Sequence, residues 1–304
     1  MTWLKRIFLF SLVNIAIVVT VSIILNLLGV GRYQTAGGIN QGSLIVFCLV
    51  WGMVGSFISL LLSKPIAKWT MGVEIIDPNA GGTRGELVRT VHRLAQAAGL
   101  SKMPEVGIYG GAELNAFATG ATKNSSLVAV SEGLLRHMDR DEVEGVLGHE
   151  IAHIANGDMV TMTLIQGVVN AFVMYIARMA AFAISQALRG NEDEREGGGL
   201  SPLVYSLTVM VFEILFGILG SMVVAAFSRY REYRADAGGA RLAGRNKMIS
   251  ALQKLRAGIE LDAGEGGQSM AAFKISSKPS KFTALFSTHP PLEERIERLQ
   301  KYAV

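Results

Sequence analysis

The chain has 304 residues, 50% of them hydrophobic and only 18% charged, with a mean hydropathy of +0.36. That balance is too apolar for an ordinary soluble protein and too polar for one wholly inside a membrane, so it implies spanning helices plus a soluble domain. The net charge of +4 does not point to nucleic acid, because Lys5, Arg6, Lys64, Lys68, Arg229, Arg231 and Arg234 sit beside apolar runs, where membrane proteins carry their cations.

Residues 7–29 form the first long apolar run. It is longer than a typical signal-peptide core and no small-x-small cleavage site follows, so it reads as a retained anchor. Residues 43–62 form the second run, and each is long enough to cross roughly 30 Å of hydrocarbon as a helix. The one cysteine, Cys48, lies in this run; no intrachain disulfide is possible, and any metal site must use His and carboxylates.

A soluble segment follows. Residues 86–100 read as an amphipathic helix with Leu87, Val91, Leu94 and Ala98 on one face. Three short strands are expected at 105–109, 114–120 and 126–130, separated by Gly110-Gly111 and Lys123-Asn124. Asp139 and Glu142 form a D-x-x-E capping pattern that starts a helix, and Asn156-Gly157 stops it. Apolar runs at 159–188 and 202–227 come next, joined by the polar, Gly-rich stretch 189–199. In the tail, 258–281 reads as a Gly- and Ser-rich loop and 291–302 as a helix. The basic residues flank the runs mainly on one side, with only Arg32, Arg189 and Arg195 on the other, which orients both termini and the soluble segment to the cytoplasm. Four spans satisfy this parity, and so do two spans plus a hairpin lying on the membrane surface. Arg178 and Glu213 lie at similar depth in the last two runs, where lone charges are costly, so they are expected to pair.

His149-Glu150-Ile151-Ala152-His153 is an H-E-x-x-H sequence. Two His residues four apart on a helix share a face and can bind one zinc ion, and the Glu between them can take a proton from water that the metal activates. Gly148 and Ala152 are small neighbours that permit close packing. A catalytic zinc needs a third protein ligand. The residues alone leave His92, His137, His289 and the carboxylates open. Among the carboxylates, Glu232 and Asp236 stand out, four apart just past the last apolar run. One of them could bind the metal while the other holds a ligand imidazole by its far N–H. A di-iron site would need a second E-x-x-H, which the chain lacks. A transporter would carry its ligands within the spans, whereas these candidates lie outside them.

The HEIAH motif with the distal E232-x-x-x-D236 pattern resembles the integral-membrane zinc metallopeptidases that include the HtpX-type proteases and the CAAX prenyl proteases. The resemblance extends to the two N-terminal runs, 114–120 (LNAFATG), 228–236 (SRYREYRAD) and 287–291 (STHPP), and covers nearly the whole chain. It implies Glu232 as third zinc ligand and Asp236 as the residue orienting a ligand. It also implies Asn115 beside the substrate cleft, where an edge strand could pair with extended substrate. His289 could stabilise the oxyanion of the tetrahedral intermediate, although a His before two prolines equally suits a turn.

The expectation is thus an α-helical membrane protein with a mainly α cytoplasmic zincin-like metallopeptidase domain carrying a small β-sheet. Residues 1–63 would hold two spans, 64–158 the HEIAH segment, 159–228 the second helical pair, and 229–304 the third ligand and C-terminal helices. One Zn2+ per chain is expected, with membrane or unfolded proteins as substrates, the lipid bilayer as surroundings and no nucleic acid. The resemblance implies a stress-responsive quality-control endopeptidase of the bacterial inner membrane.

Overall fold

The structure, a computed structural model, describes residues 15, 18–27, 29, 33–35, 38–189, 200–265 and 284–301. In chain order the elements are α1 (Val18–Leu27), the antiparallel pair β1 (Gln34–Thr35) and β2 (Gly38–Ile39), α2 (Gln41–Thr70), β3 (Glu74–Ile75) and α3 (Gly82–Ala97). Then come β4 (Glu105–Tyr109), β5 (Ala116–Gly120), β6 (Ser126–Ser131), α4 (Glu132–His137) and α5 (Arg140–Asn156). The chain continues through α6 (Asp158–Arg189), α7 (Pro202–Ala243), α8 (Arg245–Glu265) and α9 (Leu292–Lys301). It divides into two compact units, Met1–Ser59 with Thr163–Val224 and Leu60–Met162 with Ala225–Val304.

The first unit is apolar and helical. Among the described residues, α2, α6 and α7 are long and apolar enough to cross a membrane. The expected run at 7–29 is described only in part, as α1, and the loop residues 190–199 lie outside the described residues. Leu44 and Cys48 of α2 pack with Ala171 of α6. The two helices touch at Gly52, where a Cβ would come within 2.6 Å of the Gly167 carbonyl oxygen. The expected ion pair forms: Arg178 Nη1 donates to Glu213 Oε1 at 2.6 Å and to the Met174 carbonyl at 3.0 Å. Arg178 Nε also reaches the Tyr33 hydroxyl at 3.3 Å, so the guanidinium finds acceptors without leaving the unit.

The second unit is built on a four-stranded sheet of order β3-β4-β6-β5, with β4 and β6 parallel and the other pairs antiparallel. Every residue of β6 is buried, as its central place and apolar sequence require. Leu87, Val91 and Leu94 of α3 and Leu147, Ile151 and Ile154 of α5 close the core over Val106, Val128 and Val130. Ala98, expected on the same face as the α3 residues, is only partly buried. The Asp139 and Glu142 capping box forms in both directions at the start of α5. Gly157 ends that helix in the left-handed region, at φ 72°.

Two expectations change. α8 continues through residue 265, beyond the loop expected from Gly258, because Ile259 to Glu265 is composed mostly of competent helix formers; residues 266–281 lie outside the described residues. The strand expected from Leu114 starts at Ala116, because the Asn115 N–H donates to the Ser131 side chain instead of entering the ladder.

α5 and the C-terminal part of α7 meet along a seam of small residues. A Cβ on Gly148 would lie 2.9 Å from the Ala243 Cβ, one on Gly238 would lie 2.6 Å from the Ala152 Cβ, and one on Gly239 would lie 2.9 Å from the His149 amide nitrogen. Adding that methyl must part the helices. Gly239→Ala should therefore destabilise the folded protein by about 1–3 kcal/mol. Gly81→Ala, where a Cβ meets open space, should be nearly neutral; thermal unfolding in detergent checks both. In the first unit, Arg178→Ala and Glu213→Ala should each destabilise, and the double variant should lose less than their sum, with a coupling of about 1 kcal/mol or more.

Candidate active site

α5 presents His149 and His153 one turn apart, their rings edge to face with centroids 4.5 Å apart. The two Nε2 atoms are 3.0 Å from each other. α7 brings Glu232 to both, with Oε2 3.4 Å from His149 Nε2 and Oε1 3.3 Å from His153 Nε2. All three side chains are buried.

The far nitrogens meet carboxylates. His149 Nδ1 lies 3.0 Å from Asp236 Oδ1, and His153 Nδ1 lies 2.6 Å from Asp158 Oδ2. A proton on His153 Nδ1 is held by Asp158 and one on His149 Nδ1 faces Asp236 at ion-pair distance, which leaves both Nε2 lone pairs aimed at each other and at Glu232. Three lone-pair donors converging in a buried space repel one another unless a cation lies among them. Their ligand atoms all fall within 4.8 Å of one another, and Glu232 Oε2 is itself buried. Two imidazoles and a carboxylate in this arrangement fit a divalent metal ion with one position left open.

The same environment favours protons when no metal competes. Burial opposes a charge on His149, but contacts with Asp236 and Glu232 outweigh it and push its pKa up to about 9. Burial likewise opposes a charge on His153, and Asp158 and Glu232 prevail to raise its pKa. Metal and proton therefore compete for the same nitrogens.

Asp236 is itself fixed. Arg295 of α9 donates to it from Nε at 2.8 Å and from Nη2 at 2.6 Å, a two-pronged contact between buried side chains. Glu150, Asn115 and His289 line a cavity of about 130 Å³ beside the metal-ligand candidates, with Leu114, Leu134 and Val146 as part of its apolar wall. Asn115 immediately precedes β5, an edge strand of its sheet. His289 is exposed, and its Nδ1 lies 3.0 Å from Glu232 Oε2. Arg229 holds the turn before it by donating to the Ser287 carbonyl at 2.7 Å. The remaining histidines stay apart: His92 Nε2 is 3.2 Å from the Pro104 carbonyl oxygen, and His137 is exposed in α4.

Two residues of the site are missed by reading the sequence alone. Asp158 follows the helix-stopping Asn156-Gly157, and the left-handed turn at Gly157 folds it back onto His153; a carboxylate just past such a stop is the signal that could have found it. Arg295 carries no local signal, since only the docking of α9 brings it to Asp236.

A helix with HExxH, a carboxylate from a later helix and three apolar helices define a membrane-bound metalloprotease. Residues 82–303 match Peptidase family M48, and the chain belongs to that family. A Protease HtpX homolog of Bacillus licheniformis is 54% identical over 304 residues, covering 97% of this chain and 99% of that protein. Protease HtpX of Acinetobacter baumannii is 52% identical over 303 residues, covering 98% and 99%. The crystal structure of S. mikatae Ste24p shares the fold, with a TM-score of 0.58 at 17% identity over 97% of this chain and 66% of that one.

Asp158→Asn keeps the shape but weakens the hold on His153 Nδ1. Affinity for a divalent ion, measured by competition with a chelator, should fall about 10-fold or more while the thermal stability of the metal-free protein changes little.

Proposed function

We propose that the chain is a zinc-dependent endopeptidase that hydrolyses membrane or unfolded proteins at the cytoplasmic face of a bacterial inner membrane. The observation that carries this reading is the convergence of His149 Nε2, His153 Nε2 and the Glu232 carboxylate beside the cavity that Glu150 lines. Bound there, zinc would supply the Lewis acidity that makes water nucleophilic near neutral pH and polarises a peptide carbonyl. Glu150 takes the proton of the attacking water and passes it to the departing amine nitrogen. Asp236 and Asp158 hold the two imidazoles in the tautomer that turns Nε2 toward the metal. His289, exposed at the cavity mouth, donates an N–H to the oxyanion. Asn115 and the free edge of β5 align an extended substrate by backbone pairing.

The apolar segments 1–63 and 159–228 would keep the enzyme in the bilayer as a multi-pass protein, with 64–158 and 229–304 carrying catalysis. Substrates in or near the membrane, or with exposed backbone, suit an edge strand that needs no folded partner. Removal of such proteins under stress is the role this implies.

Glu150→Gln removes the proton carrier and leaves the three ligand candidates. Casein cleavage by the purified protein should fall about 10²–10⁴-fold, with metal content unchanged at one zinc per chain. Cleavage at the native rate would sink the assignment.

A further inference from the structure

A second cavity, of about 590 Å³, lies in the catalytic unit and shares Arg295 with the cavity of the active site. One wall is a stripe of α7: Tyr230, Arg234, Ala237 and Arg241 recur at helical spacing. The facing wall comes from α9 and includes Arg298 and Lys301. Five cationic side chains line this cavity against a single carboxylate, Asp236, which Arg295 already neutralises.

The remaining cations are poorly compensated. Arg298 stacks on the Tyr233 ring at 3.8 Å and meets Glu294 at 3.3 Å, and Lys301 meets Glu297 at 3.6 Å. Both are exposed one-turn pairs of the kind that contribute little. Arg234 and Arg241 make no hydrogen bond or ion pair among the described residues. Guanidinium forks converging on one open space suit a tetrahedral oxyanion, which accepts from them in pairs. The volume is generous for a bare phosphate and ordinary for a small organic ligand. Tyr230 is 64% exposed and stands one turn beyond Phe227, where the apolar stretch of α7 ends. Amphipathic rings at such a border favour the headgroup level of a bilayer.

We propose that this cavity is a binding site for a phosphate ester, the headgroup of an anionic phospholipid, held by Arg234, Arg241 and Arg298. It is distinct from the metal centre and does not depend on the peptidase reading. Free phosphate offers the same chemistry, so the test separates the two. Full-length protein in neutral detergent is titrated calorimetrically with dihexanoyl phosphatidylglycerol and, separately, with inorganic phosphate. The lipid should bind saturably, and Arg234→Gln with Arg241→Gln should weaken it at least about tenfold, as expected for lost charge-assisted contacts. Both side chains are exposed, so metal content should stay native; Arg241→Gln alone, expected to weaken binding severalfold, serves should the double variant misfold. Phosphate binding as tightly as the lipid, and lost in the same variants, upholds the anion site and assigns it to soluble phosphate. Binding of neither probe, or an affinity that the substitutions leave unchanged, overturns the proposal.

Discussion

There is no room for a Cβ between α5 and α7 at Gly239, and the candidate metal site depends on that closeness. Glu232, Asp236, Gly239 and Ala243 recur on one face of α7, while Gly148, His149, Ala152 and His153 occupy the facing turns of α5. Packing and coordination are therefore one feature. The glycines let the backbones approach, and that approach sets how far Glu232 and Asp236 must reach to meet the two imidazoles. Larger residues along the seam would still leave an HExxH helix, but one facing Glu232 across too wide a gap.

Burying this many charged groups needs internal compensation. Glu232, Asp236 and Asp158 are all buried, and each contacts a His of the site. Arg295 pairs closely with Asp236, whereas Glu232 meets longer cationic contacts, Arg231 at 3.4 Å and Arg295 at 3.8 Å, and the exposed His289 at 3.0 Å. A buried carboxylate held by such long contacts is costly in a folded protein, and its place between two imidazoles suits a bound cation. The raised pKa of His149 expresses the same demand, met by protons when metal is absent.

Much of this was legible in the sequence where the signals are local. The capping box at Asp139, the stop at Gly157 and the strands expected at 105–109 and 126–130 rest on near-neighbour chemistry. The Arg178 and Glu213 pair was legible too, because two charges at equal depth in apolar runs have few alternatives. The third ligand candidate was not: several His and carboxylates satisfied the donor chemistry, and family resemblance rather than spacing singled out Glu232. Asp158 was hidden because its role depends on a turn reversing direction, and Arg295 because it arrives on a helix about sixty residues beyond Asp236. α8 outran its expected end because Gly258 alone is too weak a breaker among helix formers.

Roughly eighty residues, mostly apolar helix, separate His153 from Glu232 in the sequence. An interruption of that size is compatible with a precise site because ligand geometry is set locally, by the seam and by i, i+4 spacing on each helix. What lies between need only return the chain to its starting level. α6 has 32 residues, and α7 from Pro202 to Glu232 is nearly as long, so at about 1.5 Å per residue the outward and return rises match. The match is visible at His153 itself, which meets Asp158 from the start of the outgoing helix at 2.6 Å and Glu232 from the returning helix at 3.3 Å. One imidazole thus holds both ends of the apolar insertion. The length of that insertion can answer to the thickness of a bilayer, while the candidate metal site answers only to the contact between α5 and α7.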